Sequence, residues 1–158
     1  MEIKMIKTGL LQENTYVVSK DSFCLVIDPG DDLYKINDYL NSKNLKTKAV
    51  LLTHGHFDHI GVAKELSLIE KCNIYASLNE KEIIEDASKN GSSKYLKKKI
   101  EIDSVTYFDE EVILEIGDFK VAETKPSFKV SEIRKVSFSS IVIFFTRGDL
   151  ACFFTSIL

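Results

Sequence analysis

All three histidines of this 158-residue chain lie within six consecutive positions, inside the segment THGHFDH at 53–59. In an extended or turning backbone, side chains two positions apart project to the same side, so His54 and His56 can bind one metal ion. Asp58 and His59 follow where the chain bends into the next element, which directs them to a neighbouring point. The spacing therefore predicts two adjacent divalent metal ions.

The residue types indicate which metals and which reaction to expect. Imidazole together with carboxylate suits zinc, and iron or manganese also accept such mixed nitrogen and oxygen ligands. A metal ion at an open site lowers the pKa of a bound water to about 7 and supplies hydroxide as a nucleophile. A single buried histidine is more often a hydrogen-bonded core residue, but three with an aspartate in this order favour a metal site. These residues predict hydrolysis of a polarised carbonyl or phosphoryl group.

The residues on either side of the histidines predict a strand before them and a helix after them. The apolar run at 48–52 is typical of a buried strand, and apolar residues at helical spacing predict a helix over about 59–71. Gly55 keeps the turn between them uncrowded, so both imidazoles can approach a metal. The histidines thus follow the carboxyl end of a strand, where α/β proteins collect ligands and catalytic groups.

The remaining pattern predicts the strands and helices of a single domain over 1–158. Three β-like runs at 2–6, 14–18 and 23–28 predict an antiparallel meander. Further along, the pattern predicts a helix over 31–43, a strand over 73–76, a helix over 79–89, a turn at 90–93, three antiparallel strands over 104–108, 112–116 and 119–122, and a strand within VSFSSIVIFF. From about Thr124 onward the other residues fit no clear element.

Composition and charge narrow the class of protein. A net charge of −3 and a pI of about 5.7 provide no broad basic field, which disfavours nucleic acid as a partner. The first ten residues alternate charged and apolar side chains, unlike a signal peptide, and the longest apolar run, at 141–145, is too short to span a bilayer. Three cysteines without Cys-x-x-Cys spacing are typical of reduced thiols. These features predict a cytoplasmic protein that does not cross a membrane.

Taken together, these segments resemble the metallo-β-lactamase-fold hydrolases. The pattern T-H-x-H-x-D-H after a buried strand is the signature of that family. The strand at 14–18 is similar to its N-x-Y-[LV]-V strand, and the segment at 26–30 to its V-I-D-P-G segment. The resemblance covers about residues 1–122 and is nearest to the glyoxalase II-like branch, which comprises thioester hydrolases of the hydroxyacylglutathione type.

The resemblance implies a fold, a cofactor and a ligand set. The fold is an α/β (α+β) protein, the αββα four-layer sandwich, with a site for two zinc ions between its sheets. In the family, residues that match His54 and His56 bind the first metal, and those that match Asp58 and His59 bind the second. Asp58 is also the candidate catalytic residue, and the residue that matches Asp28 orients a ligand.

The resemblance weakens after residue 122. The family's H-T-P-G-H-T-like segment, which brings a further histidine, corresponds to residues 123–129, where histidine is absent. The segment FTRGD looks like the family's F-T-G-D with an arginine inserted, which makes Asp149 the candidate ligand that bridges both metals. Because the chain reaches only Leu158, a last histidine is also missing, and the resemblance implies weaker metal binding and reduced activity.

The sequence therefore predicts a zinc-dependent hydrolase of small thioesters or esters that uses a metal-bound hydroxide. An uncovered sheet edge or apolar face predicts self-association into a homo-oligomer. Two alternatives stay open. One is an inactive member of the family, whether truncated, frameshifted or divergent after Thr124. The other is a phosphodiesterase or lactonase of the same fold, because one fold hosts many reactions.

Overall fold

The computed structural model describes residues 1–96, 98–109, 112–123 and 141–145, with the backbone alone for 122, 123 and 141–145. The strands are β1 Glu2–Thr8, β2 Glu13–Lys20, β3 Phe23–Ile27, β4 Lys46–Leu52, β5 Asn73–Ser77, β6 Val105–Phe108, β7 Ile113–Ile116, β8 Phe119–Glu123 and β9 Ile141–Phe145. The helices are α1 Leu33–Ser42, α2 Phe57–Ile60, α3 Ala63–Glu70, α4 Lys81–Ile84 and α5 Ser92–Tyr95, and a 3₁₀ turn spans Leu78–Glu80.

The first six strands form one sheet in sequential order. β1, β2 and β3 pair antiparallel, which confirms the predicted meander. From β3 onward the pairs β3–β4, β4–β5 and β5–β6 are parallel. The carboxyl ends of β3, β4 and β5 therefore meet at one edge of the sheet, and the histidine segment leaves β4 at that edge.

The sheet is buried on both faces, which explains the continuous apolar run in β4. Val50 and Leu52 pack in a core with the helices, together with Ile60 and Leu66. On the opposite face, Ala49 and Leu51 belong to a second core. A strand covered on both sides needs apolar residues at every position, not at alternate ones.

The second core lies between the two sheets. β7, β8 and β9 form the smaller sheet, in which β7 and β8 are an antiparallel hairpin and β9 pairs parallel with β8. Ile116, Phe119 and Val121 from this sheet pack against Leu25 and Leu51 of the larger one. Helices on one face and a second sheet on the other make three of the four predicted layers, and a helical layer outside the second sheet stays a prediction.

The predicted helix over 59–71 is wrong in its start and in its continuity. It begins at Phe57, and α2 is separated from α3 at Gly61 and Val62. The backbone N–H of Val62 donates to the carbonyl of Pro29 at 3.1 Å instead of continuing the helical ladder, so the chain bends against the segment that follows β3. Asp58 and His59 consequently lie within a short helix of their own.

Three further predictions need correction. The helix over 79–89 is shorter, because the Asp86 carboxylate accepts hydrogen bonds from the N–H and hydroxyl of Ser88 and favours a turn there. The turn at 90–93 continues into α5. The strand at 104–108 pairs parallel with β5, not antiparallel, because the long helical connection from 78 to 104 returns the chain in the same direction.

Among the described helices, none has the length and apolar character to cross a bilayer.

Candidate metal centre

The predicted ligands lie at the carboxyl ends of β3 and β4. Asp28 directly follows β3, and its backbone N–H donates to the carbonyl of Leu51 at 2.9 Å, which ties the two strand ends together. Thr53 and His54 directly follow β4. Asp28 has a φ of 49°, a left-handed conformation that is uncommon for a non-glycine residue and that is often found at functional sites.

The structure brings the four predicted ligands of the histidine segment together. The ring centroids of His54 and His59 are 3.9 Å apart, and those of His54 and His56 are 4.8 Å apart. Asp58 Oδ2 lies 3.9 Å from His59 Nε2, and the side chains of Asp58 and His59 remain 26% and 23% exposed. Asp149 lies outside the described residues. The four side chains thus converge at an edge of the sheet that solvent can reach.

The tightest potential ligand group differs from the predicted pairs. Within the described residues, Asp28, His54 and His59 each offer one ligand atom within 4.8 Å of the other two. Asp28, however, already accepts at both oxygens: Oδ1 from the Thr53 N–H at 2.7 Å, and Oδ2 from the Thr53 hydroxyl and from His59 Nδ1 at 3.1 Å. Both Asp28 oxygens are thus already hydrogen-bonded, and its role in orienting a ligand stays a prediction.

A hydrogen-bond chain through Thr53 determines which ring nitrogen of His54 and His59 faces the site. A hydroxyl has one proton to donate, and the Thr53 hydroxyl donates it to Asp28, since a carboxylate can only accept. At its other side, Thr53 Oγ1 lies 3.0 Å from His54 Nδ1 and so accepts the Nδ1 proton. His59 donates its own Nδ1 proton to Asp28. In its neutral form, each ring therefore presents an unprotonated Nε2, the form that binds metal.

The electrostatics of the two rings differ. Burial lowers the pKa of His54, and the positive charge of His59 lowers it further, so His54 is neutral near pH 7. Burial also acts to lower the pKa of His59, but the hydrogen bond and negative charge of Asp28, with the charges of Glu13 and Asp58, outweigh it and raise that pKa. Next to His59, burial raises the pKa of the Glu13 carboxyl to about 8. A metal ion must therefore compete with a proton to bind His59, whereas the neutral ring of His54 can bind a metal ion without losing a proton first.

Two residues that the sequence does not predict as part of the site form hydrogen bonds with the backbone of the histidine segment. The buried Glu80 carboxylate accepts from the Gly55 N–H at 3.1 Å, between the two predicted ligands of the first metal. The carbonyl of Asn90 accepts from the Phe57 N–H at 3.1 Å. The sequence holds no local signal for either contact, because Glu80 and Asn90 come from the connection after β5.

Gly55 is required for a reason other than the predicted one. A Cβ at Gly55 would lie 2.8 Å from a side-chain atom of Ile83 and 2.9 Å from the backbone nitrogen of Ile84. Glycine therefore lets the turn pack directly on α4, rather than giving the imidazoles room.

A second close backbone contact joins the segment after β3 to α2. A Cβ at Gly30 would lie 1.6 Å from the carbonyl oxygen of Asp58, and a Cβ at Gly61 would lie 2.1 Å from the carbonyl oxygen of Gly30. Glycine at both positions lets the two backbones touch. Through this contact the segment that carries Asp28 is placed against the helix that carries Asp58 and His59.

The described residues fit part of a two-metal site. Three imidazoles and one carboxylate converge, and their nitrogen and oxygen atoms suit zinc, iron or manganese. Orienting groups stand behind His54 and His59, as is usual for histidines that bind metal.

Comparison with known proteins places this geometry in a family. The model of the metallo-beta-lactamase superfamily matches residues 8–145, and the chain belongs to that superfamily. The matched range continues past residue 122, where the resemblance of the motifs weakens. The predicted fold class, the metallo-β-lactamase fold, is confirmed by this match and by solved structures that are similar to the structure of this chain.

Individual relatives share the fold and about a third or more of the aligned residues. The probable metallo-hydrolase YqgX of Bacillus subtilis is 42% identical over 92 residues, which are 58% of this chain and 44% of that protein. The hydroxyacylglutathione hydrolase GloC of Haemophilus influenzae is 34% identical over 83 residues, 52% of this chain and 39% of that protein. The crystal structure of BLEG-1, a B3 metallo-beta-lactamase, superposes with a TM-score of 0.66 at 31% identity, over 75% of this chain and 58% of that one. The chain thus spans less than half the length of the two curated relatives.

Proposed function

We propose that this chain is a metal-dependent hydrolase of small thioesters or esters, similar to the hydroxyacylglutathione hydrolases. The observation that carries the proposal is the hydrogen-bond chain from His54 through Thr53 and Asp28 to His59, which leaves two Nε2 atoms free at one site. A core histidine is usually hydrogen-bonded too, so the support comes from two linked rings that each keep Nε2 free of these hydrogen bonds at the same site. Membership of the superfamily and the likeness to GloC support the thioester class.

Each predicted ligand has a proposed place. His54 and His56 would hold the first zinc ion, and Asp58 and His59 would hold the second, with iron or manganese as alternatives. Asp149 is proposed as the bridging ligand, and it lies outside the described residues. When bound, the metals would supply an activated water and would polarise the substrate carbonyl.

The chain's own residues perform the remaining tasks. Asp28 holds the Nδ1 proton of His59, and Thr53 holds that of His54, so neither ring needs to change tautomer to bind. Asp58, the proposed catalytic residue, faces the site from the first turn of α2 with its carboxylate partly open to solvent. Phe57, beside it, stacks on Tyr95 at 5.8 Å between ring centroids, so the same short helix is also fixed on its outer side.

Location and assembly are part of the proposal. We propose a cytoplasmic protein, because Cys24 and Cys72 are free thiols in the described part of the chain. A single domain over 1–158 and a homo-oligomer are likewise proposed. Small thioesters or esters are the proposed substrates.

A panel of substrates tests the reaction class. Purified, zinc-loaded full chain is assayed against a hydroxyacylglutathione thioester, a simple aryl ester, a homoserine-type lactone and an aryl phosphodiester. The proposal expects the thioester to give the highest kcat/KM and His56→Ala to abolish its turnover. Highest turnover on the lactone or the phosphodiester would replace the thioester class. Metal binding without any turnover would favour the inactive alternative, which the absence of histidine from residues 123–129 supports.

A further inference from the structure

Glu13, at the start of β2, has a buried carboxyl group that the proposed ligand set does not use. Its side chain is only 3% exposed. One oxygen, Oε2, accepts from the hydroxyl of Thr8 at 3.0 Å and lies 3.2 Å from that of Thr15. The other, Oε1, is buried without a hydrogen-bond partner. Burying a carboxyl oxygen without a partner is costly, so this placement requires an explanation.

The unpaired oxygen faces a predicted metal ligand. Glu13 Oε1 lies 3.6 Å from His59 Nδ1, the same nitrogen that donates to Asp28 Oδ2 at 3.1 Å. Two carboxyl groups from different strands therefore face the inner nitrogen of one imidazole. The opposite nitrogen, Nε2, lies toward Asp58.

Contacts around Glu13 prevent its carboxyl from turning away. Thr8 and Thr15 hold Oε2, and the Thr15 hydroxyl also lies 2.8 Å from the carbonyl oxygen of Asp28. A Cβ at position 30 would lie 2.9 Å from Glu13 Oε2, so Gly30 leaves the space that the carboxyl occupies. The group is therefore held in place by β1, β2 and the segment after β3.

We propose that Glu13 is a positioning residue for His59: its Oε1, 3.6 Å from Nδ1 and without a hydrogen bond, is a second carboxyl oxygen behind the ring, which favours Nδ1 turned inward and Nε2 directed at the metal site. If a metal were bound at Nε2, the Nδ1 proton would become a stronger donor, and a second carboxyl group would stabilise it. This inference rests on the proposed function in so far as His59 is a metal ligand.

A purely structural role would use the same contacts differently. In that case Glu13, Thr8 and Thr15 would only fasten β1 and β2 to the end of β3, and loss of the carboxyl would lower stability without changing His59. The two roles are separated by a signal from the His59 ring itself. Because the chain has only three histidines, all at this site, its imidazole NMR spectrum contains three ring systems that single substitutions can assign.

The experiment compares Glu13→Gln and Glu13→Ala with the unsubstituted full chain. Thr47→Val is the matched control, since Thr47 is also a buried polar residue in the same sheet, and its hydroxyl lies 3.7 Å from the Cys24 thiol. In the metal-free protein, both Glu13 variants should shift the His59 Nδ1–H resonance and speed its exchange with water, whereas Thr47→Val should not. Zinc titration against a competing chelator should show about tenfold weaker binding in Glu13→Ala for the second equivalent alone.

The outcomes decide between the roles. A His59 resonance, exchange rate and second zinc affinity that stay within about twofold of the unsubstituted chain in both variants would overturn the proposal. Glu13→Gln has nearly the same shape, so it gives the answer if Glu13→Ala does not fold. If the unsubstituted chain binds no metal but the Glu13 variants still release the His59 ring, the proposed function fails while the positioning role stands.

Discussion

At the residue scale, Thr53 links the two rings that lie closest together in the site. Its single hydroxyl accepts from His54 and donates to Asp28, which in turn accepts from His59. A change at Thr53 therefore affects His54 directly and His59 through Asp28. Partners behind metal-binding histidines commonly contribute one to two orders of magnitude to metal affinity.

Thr53→Val is predicted to weaken zinc binding by about 10- to 100-fold, because valine keeps the shape of threonine but neither accepts from His54 nor donates to Asp28. Thr53→Ser keeps the hydroxyl and is the matched control. Chelator competition measures both affinities. Equal affinity in the two variants would show that the hydroxyl chain does not prepare the rings.

Cys24 and Cys72 are predicted to be unreactive in the folded chain. Burial raises the pKa of the Cys24 thiol to about 12 and that of Cys72 to about 11, so both remain protonated at pH 8, where an unfolded thiol is already partly ionised. Alkylation with iodoacetamide, followed by mass spectrometry, should be slow at both positions in the folded chain and fast in denaturant. Labelling of Cys24 at the denatured rate would contradict the buried position.

At the residue scale, the sequence predicts proximity best where the residues are close in the chain. His54, His56, Asp58 and His59 are read from spacing within one turn, and the structure brings them together. The role of these residues as metal ligands stays a prediction. Contacts between distant positions leave no such pattern. Glu80 meets Gly55 only because β5 lies beside β4, and a glutamate in a polar segment looks like any surface residue.

At the element scale, the contact between the segment after β3 and α2 determines where the second ligand pair lies. Gly30 and Gly61 bring the two backbones together, and the Val62 N–H donates to Pro29. This contact also explains the break between α2 and α3. Apolar periodicity continues across the break, because Ile60, Ala63 and Leu66 all face the same core, so the sequence predicts one helix.

Gly30→Ala is predicted to destabilise the fold by about 3 kcal/mol and to lower metal binding, because its Cβ would overlap the backbone carbonyl of Asp58, which cannot move aside as a side-chain end could. Gly117→Ala is the control: Gly117 has a φ of 59°, but no atom of the described residues lies within 4 Å of its added Cβ. It should cost about 1 kcal/mol from backbone strain alone and leave metal binding unchanged. Urea unfolding and chelator competition measure the two effects. Equal losses in both variants would contradict a special role for the contact.

The sequence predicts the positions of the strands but not the direction in which β6 pairs with its neighbour. Runs of β-branched and apolar residues predict β1 to β5 within a few positions. The direction of β6, however, depends on the path of the chain from 78 to 104, which alternation within the strand does not encode.

At the scale of the whole molecule, the described part forms helices, a large sheet and a smaller sheet in that order. β1 is an edge strand, and Met1, Ile3 and Met5 are exposed along it. Ile3 and Met5 pair with Val18 and Tyr16, which belong to the face toward the second sheet. Exposed apolar residues along an edge strand favour association.

Self-association is therefore predicted to depend on β1. The average mass in sedimentation should rise with protein concentration, and Met5→Lys should reduce that rise, because a charge on an edge strand opposes pairing. Lys48→Glu, in a central strand, serves as a charge-changing control. A monodisperse monomer at every concentration, before any substitution, would contradict the prediction.

The central claim is that the histidine segment holds a catalytic metal centre, and metal analysis combined with a thioester assay tests it most directly. Purified full chain is dialysed against zinc, its metal content is measured, and hydrolysis is followed in the same sample and in His56→Ala. We expect about two equivalents of zinc per chain and turnover that disappears in His56→Ala. Less than about half an equivalent of zinc with no turnover would contradict it.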